Sequence, residues 1–530
     1  MTTSSAEAGQ SSAPARTPTY TWVVLFMLMF IYIFNFLDRQ LMSILIEPIK
    51  EEMGFTDSQM GLMTGLYFAI FYTGFGVIAG FLADRTSRKY VLFAGAFLWS
   101  LFTMLCGFAR NYPTMLAARV GVGVGEAAGA PPSYSMVSDY FPPEKRGLAL
   151  AIFSLGVPFG QALGAGFGAA IHEAYGWRNA FIGIGVAGII AAVVMLLVVR
   201  EPKRGASDVK LDVHMEEAPT QVETRSGFSK TFWDFMSRPA LLYTALGCGL
   251  CSFVGYAALG WNVSFLIRVK GINYTEVALF YALMLAVAMG LGTWVSGALA
   301  DLLAKRGKHW YALVPAGAIA LSIPFYLAYI FAPNWQLALA ALSVPTFLTI
   351  MYLPPALAVV QNSLPASQRT MGGALLLMIL NIIGLGGGPT TVGLLSDYFA
   401  TSNGMSSADA IQHAFMWMTP FYFVAVGVLL LQARSLAGET RKNAAIFDGG
   451  LRFGGLLTLV GLGGLLARYL TGGAGKLFFN GEKFQNWGGL EFIGQFNAIM
   501  DVVQVAILVV FALWGLYLLA GSGKRRTAAA

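Results

Sequence analysis

The chain reads as apolar runs of about 20 residues, recurring along nearly its whole length and separated by short clusters of Gly, Pro and charged residues. A helical run of that length matches the hydrocarbon thickness of a bilayer, and in lipid a helix satisfies its own backbone polar groups without water. Breaking at the polar clusters places spans at 22–45, 57–83, 90–109, 112–138, 146–170 and 177–199. A second set follows at 239–267, 275–301, 309–331, 335–362, 369–396 and 410–434. The pattern predicts an all-α polytopic membrane protein of two six-helix bundles, 22–199 and 239–434. Residues 1–21, rich in Ser, Thr, Ala and Pro, read as a disordered tail. Residues 200–238 hold no apolar run and carry Lys203, Arg204, Asp208, Glu216, Glu217 and Pro219, so they form a linker outside the lipid. Within 435–530, the stretches 451–470 and 495–520 are again apolar enough to span. They predict an extra C-terminal transmembrane hairpin that returns Lys524, Arg525 and Arg526 to the side of the N-terminus.

Composition sharpens this picture without altering it. The 530 residues are 56% hydrophobic and 12% charged, with mean hydropathy +0.64, which excludes a soluble enzyme. The net charge of +7 is distributed by topology, so it gives no reason to expect a nucleic-acid partner. Alternate loops hold Arg85, Arg88, Lys89, Lys145, Arg146, Lys305, Arg306, Lys308 and Arg369 on one side against Lys50, Arg110, Arg268 and Lys270 on the other. The positive-inside rule then places both termini and the linker in the cytoplasm, in a plasma or inner membrane. Cys106, Cys248 and Cys251 lie inside apolar runs as packing residues, with no disulfide or metal-ligand spacing. The four histidines, His172, His214, His309 and His413, are isolated, and no nucleophile–base pattern accompanies them, which argues against a lipid enzyme.

The sequence repeats itself. GFLADRTSRK at 80–89, after the second span, recurs as GALADLLAKRGK at 297–308, after the eighth. PPEKRG at 142–147 and PASQRTMG at 365–372 keep the same Pro-to-Arg spacing at nearly the same offset. Two matches at nearly one offset mark duplicated halves, a recurring construction of secondary transporters. Both Gly-x-Leu-Ala-Asp stretches resemble the signature loop of the major facilitator superfamily. That resemblance implies gating contacts for Asp84 and Asp301, each facing a helix N-terminus of the other half and holding the cytoplasmic side shut. Arg85, Arg146 and Arg369 join them as gating candidates, and Arg88 is the expected partner of Asp139.

An ionisable residue inside a span is costly unless paired or facing water, which makes it a functional candidate. Four stand out in the first half: Asp38 and Arg39 in the first span, Arg119 and Glu126 in the fourth. Asp38 and Arg119 each lie roughly 10 Å from the outer end of their spans, so they share a layer, while Glu126 lies two turns from Arg119 on one face. The ladder of alternating sign is either a structural salt-bridge set or a coupling site. In the second reading Asp38 or Glu126 takes a proton and Arg39 or Arg119 holds an anionic headgroup, so that substrate binding triggers proton uptake. In the second half the inward candidates are uncharged: Trp261, Asn262, Trp294, Tyr352, Gln361 and Asn381. A cavity charged on one wall and apolar on the other suits an amphiphile.

Three stretches carry a narrower resemblance: NFLDRQ at 35–40, GLMTGLYFAIFY at 61–72 and RVGVGVGEAAGAPPSYSMVSDYFPPEKRG at 119–147 are similar to the spinster family of that superfamily. The resemblance implies a major facilitator fold and proton-linked transport of lysophospholipids or sphingoid phosphates such as sphingosine-1-phosphate, with no cofactor beyond the proton and no metal. It assigns coupling and headgroup recognition to Asp38, Arg39, Arg119 and Glu126, in a monomer surrounded by membrane lipids. A drug or organic-ion antiporter of the same superfamily is the competing expectation. Gly- and Pro-rich stretches at 156–168 in the fifth span and 384–393 in the eleventh predict close packing and bending.

Overall fold

A computed structural model describes residues 19–204 and 228–440, so the C-terminal hairpin expected within 435–530 lies outside the described residues. Among the described residues the chain is helical, with no strand. Eleven helical segments are long and apolar enough to cross a membrane: Thr19–Ile44, Asp57–Arg85, Arg88–Cys106, Pro143–Tyr175 and Trp177–Val198 in the first half, and Pro239–Lys270, Tyr274–Ala304, Trp310–Phe331, Trp335–Ser363, Met371–Asn403 and Ser407–Ala437 in the second. The twelfth, fourth in chain order, is the pair Tyr112–Glu126 and Ala130–Tyr140. It carries Arg119 and Glu126 in its first part and tightens into a turn over 127–129, before Pro131 and Pro132 restart the helix. The linker is less featureless than its polarity suggests. Its last third forms the short helix Phe228–Met236, with Thr231 and Phe235 buried and Trp233 exposed.

Small residues set the helix spacing. In the fifth span Gly156, Gly160, Gly164 and Gly168 fall every fourth position and press on the first span. A Cβ at Gly160 would stand 2.5 Å from the Ile33 carbonyl, and one at Gly164 would stand 2.7 Å from that of Leu37. In the fourth span Gly125 lies against the backbone of Trp99, with a Cβ there 2.5 Å from its nitrogen. The eleventh span holds a π-helical turn at Asn381–Gly386, where its glycine-rich stretch begins.

The two bundles meet at the ends of the spans remote from the linker, here called the far side. There the start of the second span packs on the eleventh, and the fifth packs on the start of the eighth. The second span breaks at Gly65, where a Cβ would lie 2.5 Å from the Thr390 hydroxyl. That hydroxyl accepts a hydrogen bond from the Leu66 amide at 3.0 Å, satisfying backbone freed by the break. Toward the linker side the halves splay. Glycines 74, 76 and 80 of the second span and 290 and 297 of the eighth have nothing within 4 Å of where a Cβ would sit, and Val77, Ile78, Phe81 and Leu82 are exposed. The result is a cavity open toward the linker and sealed at the far side.

Candidate functional site

Consecutive residues on a helix point about 100° apart, and the first span uses this rotation at NFLDRQ. Asp38 turns into its own bundle and is fully buried, Arg39 turns to the cavity between the halves, and Gln40 follows along the cavity wall. Arg39 holds Glu126 through two bonds to one carboxylate oxygen, Nη2 at 2.6 Å and Nε at 3.1 Å. Its guanidinium carbon lies 4.9, 5.0 and 4.7 Å from the ring centres of Phe36, Phe68 and Tyr72. Such stacking contributes about 1–2 kcal/mol when desolvated, and the planar fork suits both stacking and carboxylate pairing.

Phe68 serves two cations, since the Arg119 guanidinium carbon lies 5.2 Å from the same ring. Arg119 is 1% exposed, and its Nε and Nη1 have no hydrogen-bond partner among the described residues. The unmatched acceptors are close at hand. Oε1 of Glu126 is likewise buried without a partner, and neither Asp38 oxygen is held by a guanidinium, with the Thr103 hydroxyl beside them and the charges of Glu126 and Arg119 near. Orphan donors and orphan acceptors therefore coexist in one desolvated cluster, a costly arrangement that a small shift, a water or a proton would relieve. The four expected residues are thus brought together, as a cavity-facing pair, Arg39–Glu126, backed by an open pair, Arg119 and Asp38.

The uncharged candidates of the second half are placed less uniformly. Trp261 is fully buried and donates from Nε1 to the Pro389 carbonyl at 2.9 Å, while Asn262 accepts from the Tyr329 hydroxyl at 3.1 Å. Both are held in packing in this conformation. Tyr352 is half-buried beside Tyr256 and Ser252. Asn381 opens the π-helical turn, half-buried, whereas Gln361 and Trp294 are exposed.

On the linker side Arg88 pairs with Asp139 at 2.5 Å and Glu201 at 2.9 Å, and also bonds Ser135 and the Pro202 carbonyl. Arg204 caps the second span by donating to the carbonyls of Ala83, Asp84 and Thr86. The start of the linker is thereby strapped over the signature loop. Burial pushes the Glu201 carboxyl up, but the Lys89 amide, the Arg88 guanidinium and the Ser87 hydroxyl hold it below the usual carboxylate range. The Asp84 side chain is exposed in this open state, and Asp301 sits near the end of Tyr274–Ala304. Arg85 is exposed over the Phe81 ring, Arg146 is half-buried, and exposed Arg369 bonds the Leu364 carbonyl.

The far-side seal was not foreseen from sequence beyond its lone outer charges. Arg268 of the seventh span reaches across the halves to Glu47 at 2.6 and 2.8 Å and to Asp57 at 2.7 and 2.8 Å. Asp57 also receives Lys50 and the Ser396 hydroxyl. The Asp397 carboxylate accepts from the backbone amides of Asp57 and Ser58 at 3.1 and 2.7 Å, capping the N-terminus of the second span from the other half. A cross-half aspartate on a helix N-terminus was the contact expected of Asp84 at the linker side, and here the far side makes it. The signal available was faint: Ser-Asp-Tyr-Phe ends the fourth span at 138–141 and recurs at 396–399.

A sequence model described as Major Facilitator Superfamily matches residues 28–388. An MFS-type efflux pump of Mycolicibacterium smegmatis is 28% identical over 385 residues, covering 73% of this chain and 86% of its own. Protein spinster homolog 1 of Xenopus laevis is 25% identical over 452 residues, covering 81% and 83%. The crystal structure of a bacterial homolog to the human lysosomal transporter Spinster, inward-facing and unoccupied, superposes with a TM-score of 0.71 at 27% identity, covering 79% of this chain and 98% of that one.

Proposed function

The chain belongs to the major facilitator superfamily and is spinster-like within it, a multi-pass membrane transporter and not an enzyme, and from that premise we propose that it moves an anionic or zwitterionic amphiphile, a lysophospholipid or sphingoid phosphate, by proton-coupled alternating access. The observation that carries this reading is the desolvated four-residue cluster, in which Arg39 and Glu126 are paired at the cavity while Asp38 and Arg119 stand behind them unpaired. An anionic headgroup entering the cavity competes with Glu126 for Arg39. Once released, Glu126 is a buried carboxylate that either recruits Arg119 or takes a proton, and a proton on Asp38 frees Arg119 to turn toward the cavity. Headgroup binding and proton uptake are then two halves of one rearrangement.

The wide linker-side opening and the apolar wall of the second half leave room for an acyl or sphingoid chain beside the charged wall. The positive-inside charge bias makes the linker side cytoplasmic, so the conformation is inward-facing with the far side as the outer seal. The protein works as a monomer in a plasma or inner membrane, with lipids as its surroundings. A proton-coupled antiporter of drugs or organic ions is the second reading, favoured by the likeness to an MFS-type efflux pump.

Proteoliposome flux under an imposed pH gradient separates the two. Lysolipid or sphingoid-phosphate flux that disappears in Arg119→Ala supports the amphiphile reading, and flux of organic cations alone sinks it. The coupling role predicts that Asp38→Asn and Glu126→Gln remove the pH dependence while the protein stays folded. Unchanged pH-dependent uptake in both variants would overturn it.

A further inference from the structure

Beneath the far-side seal the cavity ends in a small chamber whose wall includes Arg39, Gln40 and Ser43 of the first span, Thr64 of the second, Gln161 of the fifth and Tyr256 of the seventh. Two of these side chains have no evident structural use. Gln40 is 2% exposed and Gln161 is 3% exposed, yet Nε2 of Gln40 and Oε1 of Gln161 have no hydrogen-bond partner among the described residues. The base of Gln40 is tightly packed, since the Cα of Gly164 sits close enough to the first span that a Cβ there would lie 2.9 Å from the Gln40 Cβ. The Thr64 hydroxyl donates to the Met60 carbonyl of its own helix at 2.9 Å and makes no bond to either orphan atom.

A buried amide left unpaired is destabilising, and a Leu or Met would fill the same volume without that cost. Two orphan amides lining one chamber, one from the first span and one from the fifth, therefore mark polar groups kept for something that enters. An amide nitrogen donates and an amide oxygen accepts, and a hydroxyl is the small group that answers both at once. Arg39 lies on the same wall one residue away, with Nε and Nη2 committed to Glu126. An oxyanion that displaces Glu126 from this fork takes up the same charge-assisted hydrogen bonds.

We propose that the chamber is a two-part headgroup site, in which Arg39 holds the anionic group and Gln40 with Gln161 holds a hydroxyl carried a few bonds away. The inference rests on the reading of this cavity as the amphiphile headgroup site and narrows the substrate class. The favoured substrate is a hydroxylated anionic headgroup, of the kind presented by a lyso-glycerophosphate or a sphingoid phosphate. A plain alkyl phosphate lacks the hydroxyl, and its binding leaves both amides unpaired.

The test uses two probes that differ in one group, 1-O-hexadecyl glycerol 3-phosphate and its 2-deoxy analogue, offered to the wild-type protein in proteoliposomes under a pH gradient. The expected result is at least a tenfold lower kcat/KM for the deoxy probe. In Gln40→Leu and in Gln161→Leu the hydroxylated probe falls about tenfold while the deoxy probe holds, so the discrimination collapses. Equal transport of both probes by wild type overturns the hydroxyl site and leaves amphiphile transport standing. Transport of neither probe overturns the amphiphile reading, and the subsite with it. The wild-type ratio needs no variant, so it decides the matter even if a substitution prevents folding.

Discussion

At Arg39 two demands meet that only an arginine satisfies. Its fork takes Glu126 through two nitrogens while its flat face lies among Phe36, Phe68 and Tyr72. A lysine there keeps the charge but loses both the second bond and the stacking. Arg39→Lys is therefore expected to lower kcat/KM for flux by about 10- to 100-fold while leaving the folded yield close to wild type, as read by proteoliposome uptake beside size-exclusion profiles. Wild-type flux in that variant would show that the guanidinium geometry is unimportant. Much of this cluster is legible in the sequence, because ionisable residues in apolar runs announce themselves and helical geometry sets their depth. Which acid meets which base is not legible. The neighbours Asp38 and Arg39 point about 100° apart on one helix, and only the packing of the first span, chiefly on the fifth and sixth, decides which of the two faces the cavity.

Among the elements, the fourth span is the one that carries buried charge at the expense of hydrophobicity. Arg119 and Glu126 interrupt its apolar run, and it is the span absent from the eleven judged by length and hydropathy alone. It is held in place by close packing, through Gly125 on Trp99, and the fifth span is held on the first by its glycine stripe. Where a Cβ would stand 2.5 to 2.7 Å from backbone oxygen, no side-chain rotation relieves the clash, and the helices must separate. Gly160→Leu and Gly164→Val are each expected to destabilise the protein by about 1–3 kcal/mol or more, seen as a lower melting temperature in detergent. Gly74→Ala, whose Cβ meets nothing within 4 Å, serves as the neutral control. Equal melting temperatures for all three would contradict this packing.

For the whole molecule, the asymmetry between a sealed far side and an open linker side is set by a few cross-half contacts. Arg268 neutralises Glu47 and Asp57 together, and Asp397 caps the second span. Removing the cation breaks the buried Arg268–Asp57 pair, leaving Asp57 to Lys50 and Ser396 and half-buried Glu47 without its cation, and breaking a buried pair typically costs about 3–5 kcal/mol. Arg268→Ala should open the far side and shift the population toward the opposite conformation. The three native cysteines are buried, so a cysteine at Leu259 in the cavity reports access cleanly. An impermeant thiol reagent applied from the far side should label Leu259→Cys at least tenfold faster in the Arg268→Ala background. An unchanged rate would mean that the seal rests on helix packing alone.

The sequence by itself determined the number and order of the described spans, the duplication of the halves and the four charges at the heart of the first one. Those follow from local free energies: an apolar run of about 20 residues partitions into lipid whatever its neighbours do, and a charge within it is expensive wherever it sits. Tertiary structure decided what depends on partners far apart in the chain. It paired Arg39 with Glu126, left Asp38 and Arg119 open, put Trp261 into packing and built the Arg268 seal from residues on both halves. Open and closed arrangements of the halves are built from the same residues, so the hydrophobic pattern is identical for both and cannot choose between them.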